Sequence, residues 1–334
     1  VSGYNRGVPI PDFARRFPNI ALPRLGARAV FVTDDFFAAV ERLIQPADAV
    51  FIPDKFDGHG KWMDGWESRR KRGPGHDHCV LKLGFPARIK GVDIDTSHFN
   101  GNQPLQASVD GAHVDGGRPG DGDWENLIAP VDTGPDAHHY HEVNHQRAVT
   151  HLRLNIFPDG GVARLRVFGR PEIDWGKVAA DTLVDLAAVE NGGRAVCCND
   201  QHFGTMHNLT APGRGVNMGD GWETRRRRGP GHDWVVLALG HPGIIRRILI
   251  DTAHFKGNYP DRAAIQAAKF DGDENNIAEV SEQWPLLLPQ SKLGADAEHV
   301  FEKEIHDAGV VSHVRLSIHP DGGVSRLRLF GVVR

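Results

Sequence analysis

A charged, glycine-broken stretch occurs twice in this chain, as DGWESRRKRGPGHD from Asp64 and as DGWETRRRRGPGHD from Asp220. The match runs without a gap from Asp64–Pro104 to Asp220–Pro260, with 26 of 41 positions identical. Upstream, GARAVFVTDDFF from Gly26 matches GGRAVCCNDQHF from Gly192. Downstream, WENLIAPVDTGPDAHH from Trp124 matches WPLLLPQSKLGADAEH from Trp284, and THLRLNIFPDGGVARLRVFG from Thr150 matches SHVRLSIHPDGGVSRLRLFG from Ser312. Spacing drifts only between these blocks, which places insertions in loops. One fold used twice is the direct consequence. The first copy ends near Gly169 and RPEIDWGK is the connector, so the expected domains are residues 1–172 and 173–334.

The blocks read mostly as strands. VVLALG, RRILIDTAHF, HVRLSIHP and SRLRLFG are short, rich in Val, Ile and Leu, partly alternating, and bounded by Gly or Pro. PDGG in each copy is a turn between two such runs, with Pro and Asp early and Gly free to take positive φ. The expected fold is all-β: two tandem β-sandwiches, one per copy. Helical spacing is confined to DFFAAVERLI near Asp35 and DTLVDLAAV near Asp181.

Composition narrows the function. At 334 residues, 40% hydrophobic and 25% charged, the chain suits a soluble protein with two cores. A net charge of -4 offers no general attraction to nucleic acid or anionic membranes. No apolar run approaches the ~20 residues of a membrane helix. VSGYNRGVPIPDF lacks a basic-then-apolar secretion pattern, and three cysteines make no disulfide framework or CxxC metal pair. A cytoplasmic location is expected. Phosphate-loop, GxGxxG and GxSxG motifs are missing, which removes support for kinase, dinucleotide and serine-hydrolase chemistry.

The shared polar residues carry the remaining signal. Trp66 and Trp222 read as core anchors, and Asp64 and Asp220 as turn formers. Glu67 and Arg69, like Glu223 and Arg225, stand two apart and would share one face of a strand. They form either a structural ion pair or half of a site that grips a carboxylate or urea-like ligand. The basic runs RRKR and RRRR read as solvated loops, since no aromatic series is interleaved. GPG then presents His76–Asp77 and His232–Asp233 before a strand, as acid–base pairs or as loop hydrogen bonding. DTSHFNGN from Asp95 and DTAHFKGN from Asp251 contribute Asp95, His98 and Asn102, and Asp251, His254 and Asn258. His139 and His299 are a further shared pair. HHYHE from His138 offers close metal ligands, only partly matched in the second copy.

DGWE(S/T)RR, GPGHD, the DT-HF-GN loop and the closing PDGGV(A/S)RLR(V/L)FG together resemble the allantoicase family over both halves of the chain. The resemblance implies two jelly-roll domains of the galactose-binding or discoidin type. It implies hydrolysis of allantoate to ureidoglycolate and urea in purine breakdown, a homo-oligomer, and, for some members, a divalent metal such as Mn2+. No cofactor follows from the residues themselves. The alternatives are a hydrolase or lyase acting on a related ureido acid such as ureidoglycolate, a non-catalytic discoidin-like binding module, and a purely structural repeat. Allantoate chemistry needs a cation for a carboxylate, hydrogen-bonding groups for ureido arms, an acid and a base. Glu67, His76, His98, Glu223, His232 and His254 are the catalytic candidates. Arg69, Asp95, Asn102, His139, Arg225, Asp251, Asn258 and His299 are the substrate-binding candidates. His78 facing Trp234, Gln103 facing Tyr259, and TDDFF facing NDQHF mark departures between the copies.

Overall fold

A computed structural model describes residues 9–334. The chain divides into two compact units, Val1–Glu172 and Ile173–Arg334. Each unit is organised by one 19-residue strand, Asp77–Asp95 in the first and Asp233–Asp251 in the second. The sequence pattern suggests two short strands here, and the structure joins them around a corner at LGFPA and LGHPG. Along the long strand, pairing to the neighbouring strand skips from Lys82 to Ala87 and from Ala238 to Gly243.

The corner changes the strand's partners. In the first unit its leading half pairs with Arg28–Val32 and Val149–Phe157. Gln106–Ala112 and Glu125–Asp132 extend that sheet. The trailing half pairs with His138–Glu142 and Arg164–Pro171. The second unit repeats the plan with Arg194–Cys198, Val311–His319, Arg262–Ala268 and Leu286–Lys292 on one side, and Glu298–Phe301 and Arg326–Val333 on the other. A strand that leaves one layer at a corner and enters the other closes a sandwich. Val235 and Leu237 from the leading half share a core with Ile248 and Ile250 from the trailing half, together with Leu316, Ile318, Leu327 and Leu329. Cys79, Leu81, Val92, Ile94, Leu154 and Leu165 are the buried counterparts in the first unit.

The outward face separates the copies. In the second unit Val236 and Ala238 also lie in a small core, under Ile277 and Trp284. The run VVLAL is therefore apolar on both faces, which hides the alternation expected of a half-exposed strand. In the first unit the register aligns His78 with Asn155 and Ser108, and Val80 with Arg153 and Asp110. Asp110 there accepts hydrogen bonds from Arg153 at 2.9 and 3.0 Å and from Asn155 at 2.8 Å.

Both expected helices are absent among the described residues. Val40–Ile44 is a 3-10 segment. The DTLVDLAAV region forms the two-residue strand Val184–Asp185 against Gly331 and Phe330, then a 3-10 turn at Val189–Asn191. Asp185 accepts from the backbone N–H groups of Ala187 and Leu329 at 3.1 and 2.9 Å, a local bonding pattern that competes with helix. The α-helices described are Asp12–Arg16 and Ile277–Val280.

Trp66 and Trp222 are wholly buried, as expected of core anchors. Each contributes about 4–6 kcal/mol of burial before entropy is counted. Asp64 and Asp220 do more than turn the chain. Asp64 pairs with buried Arg164 at 2.8 Å, and Asp220 with buried Arg326 at 2.7 Å. Arg164 also donates to the carbonyls of Ala47, Asp64 and Ala163. The pair ties the DGWE loop to the first arginine of the closing RLR run. Asp64→Ala leaves a buried guanidinium without its counter-charge, and we expect a loss of about 3–5 kcal/mol in urea unfolding. A change below about 1 kcal/mol would show that the backbone acceptors suffice.

Candidate allantoate site

Because the long strand turns back at its corner, the loop before it and the loop after it meet. Phe99, wholly buried, fills the junction: a Cβ placed on Gly161 would lie 1.9 Å from its ring. Glu67 sits in the two-residue strand Trp66–Glu67, paired with Gly161–Val162. Its Oε1 accepts a hydrogen bond from Asn102 Nδ2 at 2.9 Å. Asn102 is held from its other side, where its carbonyl accepts from Gly161 N at 2.7 Å. Asn258 donates to Glu223 Oε1 in the same way, and its carbonyl accepts from Gly323 N at 2.8 Å. Burial raises the Glu67 carboxyl above its ordinary range, and the Asn102 hydrogen bond only partly offsets this.

Arg69 does not stand beside Glu67 on a strand face. The strand ends at Glu67, and Arg69 turns to Asp34, with Nε at 2.7 Å and Nη2 at 2.6 Å from Oδ2. Asp34 Oδ1 also accepts from Arg69 N at 3.1 Å. Arg225 makes the same contacts to Asp200, with Nε at 3.0 Å, Nη2 at 2.9 Å and its backbone N at 2.6 Å. Burial pushes Asp34 up, but the Arg69 contacts outweigh it and hold the carboxyl below its usual range. Trp66 Nε1 donates to the Asp34 carbonyl and Trp222 Nε1 to that of Asp200, each at 2.8 Å. The core tryptophan thus clamps the loop that orients the arginine. Asp34 and Asp200 were missed by the motif reading, although both follow the matched GARAV and GGRAV blocks at the same offset.

The other candidates serve their own loops. His98 and His254 adopt left-handed φ values of 69° and 71°, and their backbone N–H groups donate to Asp136 and Asp296. Their rings bond the carbonyls of Ala49 and Gly215 at 3.1 and 2.8 Å. His139 closes its turn on the Gly134 carbonyl and the Thr96 hydroxyl, and His299 on Gly294 N and the Ile250 carbonyl. Asp95 and Asp251 accept from Ser97 N and Ala253 N at 2.8 Å, and Asp251 also pairs with Arg214. His76 bonds Asn155 Oδ1 at 3.2 Å and packs on Phe157, whereas His232 packs on His319. Burial lowers the His232 imidazole. The basic run is not wholly solvated, because Lys71 and Arg227 reach back to buried Asp77 and Asp233.

The structure therefore gathers Glu67 with Asn102 and Arg69 with Asp34 at one end of the first unit, and their equivalents in the second. A carboxylate with raised proton affinity lies in the same loop as a guanidinium fixed by a neighbour. The allantoicase repeat model matches residues 18–172 and again residues 184–334.

The chain belongs to the allantoicase family.

A protein named probable allantoicase 1 from Burkholderia mallei is 56% identical over 97% of this chain and 96% of its own length. A probable allantoicase from Stutzerimonas stutzeri is 57% identical over 95% of this chain and 97% of its own. The crystal structure of allantoicase from Saccharomyces cerevisiae superposes with a TM-score of 0.80 at 37% identity, covering 94% of this chain and 92% of that one. A second allantoicase structure gives 0.81 at 36% identity, covering 96% and 94%. The double sandwich is thus the allantoicase fold.

The metal that the allantoicase resemblance implies for some members finds no ligand set. No group of three or more His, Cys, Asp or Glu side chains stands close enough to hold a metal among the described residues. The HHYHE strand does not gather its histidines, since His138 turns to Asp93 while His139 closes its own turn. His138 Nδ1 lies 2.7 Å from buried Asp93, whose hydrogen bond raises the imidazole to about 9 against partial burial. A raised histidine adds stability that is complete below its unfolded value near 6.5 and is lost as pH rises through about 9. The stability gap between the native protein and His138→Asn should therefore shrink between pH 6.5 and 9. A gap constant across that window would overturn the pairing.

Proposed function

We propose that this protein is an allantoicase that hydrolyses allantoate to ureidoglycolate and urea. The observation that carries this is the twofold match of the allantoicase repeat, backed by relatives more than half identical along nearly their whole length. Allantoate carries a carboxylate and two ureido groups on one carbon. One ureido nitrogen pushes out the other arm as urea; the carbon–nitrogen bond breaks and the leaving nitrogen takes up a proton. The remaining nitrogen loses its proton as the C=N bond forms. Water then adds across that bond, oxygen to carbon and hydrogen to nitrogen, and ureidoglycolate results.

Glu67 is our candidate for the proton traffic. Its raised proton affinity leaves more of it protonated near neutral pH than an ordinary glutamate, so it can hand a proton to departing urea and take one from water. Asn102 fixes the carboxyl, and Arg69, set by Asp34, receives the substrate carboxylate. Glu223, Asn258, Arg225 and Asp200 repeat the arrangement. His76, His98, His232 and His254 have partners elsewhere, which supports a glutamate as the acid–base group.

The substrate is a small molecule. Among the described residues no helix is long and apolar enough to cross a membrane. None of the three cysteines forms a disulfide among the described residues, which suits a reducing compartment, and we place the enzyme in the cytoplasm as a homo-oligomer of the family kind. Sedimentation velocity should return a multiple of the monomer mass, and a single monomer species would remove that assignment. Urea release from allantoate tests the reaction. We expect turnover by the native protein and a loss of about a hundredfold or more in Glu67→Gln/Glu223→Gln. Urea from neither allantoate nor ureidoglycolate would sink the enzyme reading, whereas full activity in the folded double variant would sink the glutamate assignment alone.

A further inference from the structure

The two repeats carry the same Glu–Asn and Asp–Arg pairs in different surroundings. Between Phe37 and Asp64 the first repeat has 26 residues, where the second has 16 between Phe203 and Asp220. The longer segment includes a small hairpin, Phe56–Asp57 paired with Gly60–Lys61. From its tip the His59 ring stacks on Phe36 at 4.3 Å and 29°. Phe36 lies in turn against the Arg69 guanidinium at 5.1 Å, and Arg69 is the arginine fixed by Asp34. Asp34, Arg69, Phe36 and His59 are thus linked in one series of contacts, an ion pair followed by two ring contacts, and next to Phe36 the backbone N–H of Phe37 donates to the Glu67 carbonyl at 3.2 Å. In the second repeat the position of Phe36 is His202, whose ring packs on Phe203.

A second difference lies two residues before the DGWE motif. The first repeat has Trp62 there, drawn away between Lys55 at 3.5 Å and Arg42 at 5.1 Å from its ring. The second has Met218, whose Sδ lies 3.9 Å from Asn258 Nδ2, the amide that also serves Glu223. A thioether thus stands at the second repeat's Glu–Asn pair, while an aromatic wall stands at the first repeat's Asp34–Arg69 pair.

We propose that the first repeat carries the turnover, with Phe36 and His59 as the wall that positions the ureido acid against Arg69 and Glu67. The second repeat's copy, obstructed by Met218, is subordinate. This rests on the reading of the shared glutamate as the acid–base group. Planar ureido arms suit a ring face as well as hydrogen-bonding groups, and a guanidinium already packed on an aromatic ring loses little freedom on meeting a carboxylate. His59 acts here as a positioning residue, through its stack and not through its proton.

Steady-state kinetics of urea release by the full chain decide the matter. Glu67→Gln should lower kcat about a hundredfold or more, at least tenfold beyond any loss in Glu223→Gln. His59→Ala should raise KM about three- to tenfold with kcat held, and His59→Phe should restore KM, because a phenyl ring replaces the stack. A merely structural hairpin would not split KM from kcat in this way. A loss in Glu223→Gln equal to or greater than that in Glu67→Gln overturns the assignment to the first repeat. A KM for His59→Ala within about twofold of native overturns the wall. Full activity in both single variants and in the double overturns the acid–base reading, and this proposal falls with it.

Discussion

The corner in the long strand governs everything that the two ends of that strand can do. A Cβ on Gly84 would lie 1.7 Å from the Leu25 carbonyl oxygen, and one on Gly240 would lie 1.6 Å from that of Asn191. Only glycine lets the chain pass so close, and the close passage lets one strand serve both layers. With the strand turned back, the DGWE loop before it and the DT-HF-GN loop after it share one end of the sandwich. Asn102 reaches Glu67 for that reason, and the site depends on a turn nearly twenty residues away in sequence.

Around the junction the polar groups divide by where their bonds end. Arg164, Asp64, Thr96, His98 and His139 spend theirs on backbone carbonyls, on N–H groups or on one another. Buried polar atoms left unpaired cost more than a hydrogen bond gains, so these residues are required by the fold itself. Glu67, Asn102, Arg69 and Asp34 differ. Their side chains pair with one another, and Arg69 remains well exposed. An ion pair whose cation is this exposed adds little stability. What it does is hold the guanidinium in one orientation.

Much of this was legible in the residues. The duplication, the strand content and the buried tryptophans follow from period, composition and aromatic burial, which act locally. The single 19-residue strand did not follow, because Gly and Pro at LGFPA and LGHPG read as stops when the contact that needs them lies across the fold. DFFAAVERLI looked helical because a 3-10 segment lying over a core also buries its apolar residues at intervals of three and four, as Val40, Leu43 and Ile44 do. Glu67, Arg69 and Asn102 were visible as shared polar residues. Asp34 was visible as a shared residue but not as a neighbour of Arg69, since that partner lies 35 residues ahead and no motif spans the distance. His98 was visible as a catalytic candidate, but neither its positive φ nor the bond of its ring to the Ala49 carbonyl could be read from the loop's sequence.

Identity between two copies of a repeat is therefore ambiguous evidence of chemistry. Residues needed to fold the unit are kept in both, so the most repeated words of DGWE(S/T)RR and DT-HF-GN are largely scaffold: Asp64 and Asp220 on buried arginines, His98 and His254 on loop carbonyls. A duplicated fold needs each of these twice, whereas one substrate needs its pocket once. The differences fall around the Glu–Asn pair and on the outward sheet face, where polar His78 and Asn155 stand in one unit and Trp234 and Ser317 in the other. Divergence there leaves the shared inner core unchanged: the second unit covers its outward face with Ile277 and Trp284, whereas the first lays buried Asn155 against Asp110 and Ser108.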